Sequence, residues 1–246
     1  MNLFLDAINW ILDPANYTGD GSIPSRLLEH LVFTFVTLLI ASAIAVPLGF
    51  LIGHTGHGRG LAVAVSGGLR ALPTLGLLTL VALWVGIGLQ APYVALTVLA
   101  IPPVLAGAYT GFEAIDRATI DAARAVGMSE WQIVRKVEIP LGLPLLIGGL
   151  RSGTLQVVAT ATLAAYVADF GLGRYLFSGL KTRDYAEMLG GSILVILLAL
   201  ALEGIFSVIQ RIVVPPGVSA GRPTEVRARS VRPRPGMEST IAEGSN

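Results

Sequence analysis

The sequence predicts an all-α integral membrane protein of about five transmembrane helices, with a polar helical elbow between the third and the fourth. Three observations predict it. Of 246 residues, 53% are hydrophobic and only 13% charged, where a soluble domain carries about a quarter. The apolar residues come in blocks: no Asp, Glu, Lys or Arg occurs from Leu31 to Ile52 or from Ala71 to Phe112. A run of about 20 such residues spans a bilayer. The one long polar interval within the apolar body, residues 113–140, has the grammar of helix, glycine turn, helix. The formal net charge of +1 carries no nucleic-acid signature, and the absence of Cys excludes a disulfide framework and thiolate metal sites.

Residues 1–26 read as an extracytoplasmic segment. Leu3, Phe4, Ile8, Ile11 and Leu12 lie near one helical face, which suits a short interfacial helix with Trp10 at the headgroup level. Turns follow at Asp13-Pro14-Ala15-Asn16 and Gly19-Asp20-Gly21. The spans are expected at about 28–53, 61–88, 92–112, 141–168 and 186–210. Pro47 is expected to kink the first, and Gly53 to Gly60 forms a tight loop after it. Pro73 interrupts the second, which Arg70 enters at depth. Pro102, Pro103 and Gly107 lie inside the third, where neighbouring helices must satisfy the freed backbone groups. A short polar loop from Asp169 to Tyr185 joins the fourth to the fifth. Residues 215–246, rich in Pro, Gly, Ser and Arg, are expected to be a disordered tail. Its arginines (Arg222, Arg227, Arg229, Arg232, Arg234) are within reach of anionic lipid, although simple solubilisation is the plainer role.

Basic residues favour the cytoplasmic side. Arg59, Arg117, Arg124, Arg135, Lys136 and the tail arginines fall on one side of a five-span topology. Arg174, Lys181 and Arg183 fall on the other, partly offset by Asp169, Asp184 and Glu187. The expected orientation has the N-terminus outside and the elbow and C-terminus inside.

Within the elbow, Asp116 or Thr119 can cap the first helix, and Gly127 stands where a left-handed residue ends it. Ser129 and Gln132 have capping-box spacing and start the second helix, and Pro140 resists its continuation. Ile120, Ala123, Val126, Trp131, Val134 and Val137 form an apolar side, with Arg117, Arg124, Arg135 and Lys136 outside it. The pattern Asp121-Ala122-Ala123, three residues, Gly127, nine residues, Val137-Glu138-Ile139-Pro140 resembles the EAA signature loop of ABC importer permease subunits. Every spacing is kept. The departures are Asp at 121, Val at 137 and Ile at 139, which preserve charge or apolar character. The segments LPTLGLL (72–78), TATLAAYVADFGLG (160–173) and GLGRYLFSGL (171–180) are similar to osmoprotectant permeases; the last also resembles methionine importers. ADFGLG departs from the more usual Gly-Ala-Gly-Gly-Leu-Gly type.

This resemblance implies a type I importer permease fold like that of the methionine importer, over residues 27–214. It implies an ATPase docked on Asp121, Ala122, Ala123, Gly127, Met128, Trp131, Val137, Ile139 and Pro140. It further implies a second permease subunit, identical or paralogous, and an extracytoplasmic binding protein, in a bacterial cytoplasmic membrane. Cargo would be glycine betaine, carnitine, choline or proline, with methionine or another amino acid as the alternative. ATP and Mg would sit on the partner ATPase and no cofactor on this chain, which has no Gly-Lys-Ser/Thr phosphate loop. An independent secondary carrier fits less well, since no internal repeat is visible and Glu203 is the one acid well inside a span.

His30, His54 and His57 have no carboxylate or Cys at metal-ligand spacing, and no metal site is expected. Arg70, Arg151 and Glu203 are ionisable residues within spans. Glu203 is read as facing the Arg211 end of its helix, and Arg151 as snorkelling or pairing. Arg70, Pro73, Tyr109 and Tyr166 are candidates to line a pathway, Arg70 and Pro73 because they stand at a break within a span. Aromatic rings hold quaternary ammonium groups by cation–π contacts. Trp84, Tyr93, Tyr109 and Tyr166 suit an interfacial belt better than a cage, which more naturally belongs to a binding protein. Replacing Arg70 by Ala is expected to lower transport more than assembly; equal loss of both, in uptake and co-purification assays, would remove Arg70 from the pathway.

Overall fold

A computed structural model describes residues 2–213; the tail expected at 215–246 lies outside the described residues. Ten α-helices make up nearly all of that body: α1 (Leu3–Leu12), α2 (Ile23–Thr55), α3 (Arg59–Ala71), α4 (Thr74–Val85), α5 (Gln90–Glu113), α6 (Arg117–Ala125), α7 (Glu130–Ile133), α8 (Ile139–Ala161), α9 (Gly173–Thr182) and α10 (Tyr185–Val213). Among the described residues, α2, α5 and α10 are long and apolar enough to cross a membrane. Helix α8 has 23 residues, about 34 Å at 1.5 Å per residue, long enough to cross but less apolar than those three. Arg151, Gln156 and its prolines dilute its apolar character.

Helix α5 is the centre. In its apolar stretch 72% of residues are buried, against 22% for α2 and 6% for α10. It packs most extensively against α2 and α8, and small residues make the close crossing possible. A Cβ on Gly107 would lie 2.7 Å from both the Gly149 Cα and the Leu145 carbonyl oxygen. One on Gly111 would lie 2.8 Å from the Gly142 carbonyl oxygen, and one on Gly53 2.7 Å from the Phe112 Cβ. In a bilayer, lipid tails are as apolar as Leu, so backbone approach of this kind replaces the hydrophobic effect as the packing force.

Pro102 and Pro103 sit inside α5 without ending it. Pro103 has no N–H, so the Leu99 carbonyl loses its helical donor. Gln156 Nε2 from α8 donates to that carbonyl at 2.9 Å. The pairing meets the requirement that buried backbone groups be satisfied inside the protein.

The structure corrects several expectations. The span read at 61–88 is two helices, α3 and α4, that meet at 90°. Pro73 takes the extended N-cap position of α4, where its ring precludes continuation of α3. The polar loop after the fourth span contains α9, whose Tyr175 and Gly179 are buried. Trp10 packs edge-on against Tyr175, ring centroids 5.0 Å apart, and covers Gly190. Burial pushes the Tyr175 hydroxyl up to about 12, so it remains a donor to the Gly21 carbonyl at 2.7 Å. Glu203 pairs with Arg151 of α8 rather than with the Arg211 end of α10, and Arg151 also reaches Gln210 at 3.3 Å. Period alone cannot see that two charges in different spans neutralise each other.

Substituting Ala for Gly107 is expected to destabilise the bundle by about 1–3 kcal/mol through overpacking. Gly148→Ala on α8, where a Cβ would meet nothing within 4 Å, serves as the neutral control. Thermal denaturation of the purified chain in detergent separates the two.

Candidate functional site at the elbow

Between α5 and α8 the chain builds a compact knuckle from its own capping chemistry. Asp116 caps α6, accepting from the Ala118 N–H at 3.0 Å; Thr119, the other candidate, is already inside the helix. Gly127 has φ +85°, the left-handed conformation natural to glycine. Its N–H donates to the Arg124 carbonyl at 3.0 Å and the next, from Met128, to the Ala123 carbonyl at 3.1 Å. Together these bonds form a Schellman stop. The capping box of Ser129 and Gln132 is present in both directions. Ile120, Ala123 and Ile133 form a small core with Ile115, Met128 and Val137 against it. A π-helical turn, Val134–Glu138, then leads into α8 and places Ile139 and Pro140 in its first turn.

The apolar side of the knuckle differs from the sequence reading. Val126 is 78% and Trp131 70% exposed, although helical spacing groups them with the buried residues. Asp121, Ala122 and Gly127 are exposed beside them. Val126 and Trp131 therefore stand as exposed apolar side chains on a capped scaffold. Arg124 bridges the two short helices, donating to Glu130 at 2.8 and 3.1 Å and lying 3.4 Å from Asp121. That bond from Arg124 holds the Glu130 carboxyl below the usual carboxylate range.

Two pairings near the elbow were not visible in the sequence. His54, in the last turn of α2, reaches Glu138 Oε2 through Nδ1 at 2.7 Å and Glu130 Oε2 through Nε2 at 3.4 Å. Arg59 at the start of α3 lies 3.5 Å from Glu113 at the end of α5. The partners are too distant in sequence for spacing to reveal.

The pathway candidates are not gathered into one site. Arg70 and Pro73 are exposed at the break between α3 and α4. Tyr109 is half-buried on α5 beside the core around Ala45, Ala62 and Val104. Tyr166 is 56% exposed, in a 3-10 turn after α8 at the end away from the elbow, its ring 5.8 Å from Phe177.

The chain is thus a helical membrane body with a capped, partly exposed elbow between α5 and α8. The chain belongs to the family of binding-protein-dependent transport system inner membrane components, whose model matches residues 45–216. It is 30% identical over 201 residues to the glycine betaine/carnitine/choline transport system permease protein OpuCB of Bacillus subtilis, covering 82% of this chain and 93% of that protein. It is 29% identical to the osmoprotectant import permease protein OsmW of Salmonella typhimurium, covering 87% of this chain and all of that one. Among solved structures, an inward-facing conformation of the MetNI methionine ABC transporter matches with a TM-score of 0.68 at 27% identity. That match covers 78% of this chain and 96% of the other. The protein is therefore a multi-pass membrane permease subunit of an ABC importer, a class that works with an ATPase and a substrate-binding protein.

Gly127→Asp adds a charged side chain where the space is open but the backbone, at φ +85°, strains any residue with a Cβ, by about 1–2 kcal/mol. Membrane insertion is expected to be preserved, while ATPase co-purification falls about tenfold, equivalent to about 1.4 kcal/mol. Wild-type co-purification and transport would remove Gly127 from the contact.

Proposed function

We propose that this chain forms, with a second permease subunit, the translocation pathway of an ATP-driven importer for osmoprotectants such as glycine betaine, carnitine, choline or proline. The observation that carries the coupling half of this reading is the elbow: a rigid knuckle exposing Val126 and Trp131 on the stretch Asp121 to Pro140. A separate ATPase subunit, which binds and hydrolyses ATP with Mg, docks there. This chain carries no cofactor and does no hydrolysis of its own. Closure of the two ATPases draws the elbows of the two permeases together. The spans then rock to open outward, an extracytoplasmic binding protein delivers cargo, and hydrolysis resets the inward state. The elbow and the C-terminal end of α10 face the cytoplasm, and α1 and α9 face outside. Arg59, Arg117, Arg124, Arg135 and Lys136 at the elbow end support that orientation.

The osmoprotectant cargo is supported by relatives whose names specify glycine betaine, carnitine and choline. The methionine transporter supports the fold and, at 27% identity, keeps methionine as the second cargo to test. The cation–π contacts that hold a quaternary ammonium belong in this reading to the binding protein.

The test is uptake of labelled glycine betaine at raised osmolarity, in cells lacking their own osmoprotectant importers, with the neighbouring ATPase and binding-protein subunits co-expressed. Uptake that requires ATP, resists excess methionine and is lost in Gly127→Asp is the expected result. An assembled complex that takes up methionine instead would reassign the cargo. A chain that binds no ATPase would overturn the coupling.

A further inference from the structure

We infer that His54 is a positioning residue that straps the end of α2 to the elbow, so that α2 moves with the elbow when the ATPase pulls on it. The inference rests on the coupling just proposed. The covalent chain attaches the elbow to α5 and α8 only, and α2 makes no more than glancing contact with α6, α7 and the π turn. The imidazole of His54 bridges that gap twice. Nδ1 lies 2.7 Å from Glu138 in the π turn, and Nε2 lies 3.4 Å from Glu130 in α7. Glu130 passes the link through Arg124 at 2.8 Å towards Asp121.

An ionised carboxylate only accepts hydrogen bonds, so the Nδ1 N–H of His54 donates to Glu138, while Nε2 at the other side of the ring stands 3.4 Å from Glu130. The Glu138 side chain is only 5% exposed, and His54 is its one hydrogen-bond partner among the described residues. A buried carboxylate without a partner is costly, so each end of the strap needs the other. The donors do not amount to a cation site: among the described residues no group of three His, Cys, Asp or Glu could hold a metal ion.

The absence of cysteine from the chain makes the test clean. Spin labels are placed on Thr55→Cys at the end of α2 and Arg117→Cys on α6, both exposed. The distance between them is measured in the complex with its ATPase in nanodiscs, nucleotide-free and with ATP trapped. With His54 present, the distance is expected to change by less than about 2 Å, the scale of a helix shift. With His54→Ala it should change by more and its distribution broaden, while His54→Lys, which keeps an N–H donor for Glu138, restores the tight behaviour. The double variant His54→Ala/Glu138→Gln separates strap from counter-ion. It stays loose if the link matters, and recovery of the tight distance would reduce His54 to neutralising Glu138. The same nucleotide response with and without His54 would overturn the proposal. If His54→Ala does not assemble, His54→Leu, which offers no donor, is compared, and a wild-type distance in it is equally fatal. A purified chain that carries no ATPase at all would instead overturn the coupling on which the strap depends.

Discussion

The contact on which the rest depends is the bare backbone crossing of α5 with α8. Gly107 meets Gly149 and Gly111 meets Gly142 with no room for a methyl group at either place. In lipid there is no water to expel, so helices are held by the van der Waals contact that such proximity allows. Once α5 and α8 are this close, α2 closes over the other side of α5 through Gly49 and Gly53. The short segment between the ends of α5 and α8 then has little choice but to fold into a knuckle. Its shape comes from local capping chemistry and a core of small side chains, while its position comes from the crossing.

Composition and periodicity made the helical membrane class legible, because uncharged runs leave few alternatives. The turn chemistry of the elbow was equally legible: Gly127, Ser129 and Gln132 act through neighbours no more than four residues away. Less could be read where the outcome depends on a distant partner. Helical spacing put Val126 and Trp131 with the buried residues, but the knuckle core is filled by Ile120, Ala123 and Ile133, leaving those two outside. Sequence offers Arg151 as snorkelling or pairing and Glu203 as facing the Arg211 end, and only the packing of α8 on α10 makes the two each other's partners. The bend at Pro73 was visible as an interruption, whereas its size, which turns one expected span into two helices, was not.

The same division explains the histidines. Each of the three lacked a suitable neighbour in sequence. In the fold, His30 is buried and bonds the Val158 carbonyl at 3.0 Å, and His54 lies between two glutamates. Only His57 stays local, its ring bonding the Thr55 carbonyl at 2.9 Å.

The Gln156 hydrogen bond to the Leu99 carbonyl has a mechanical consequence. It ties one side chain of α8 to one specific rung of α5, the rung left vacant by Pro103. Were α8 to slide past α5 by a turn, the amide would lose its acceptor and a buried carbonyl its donor, with no solvent to replace either. The bond thus works as a register pin, fixing how far along α5 its closely packed neighbour α8 can sit.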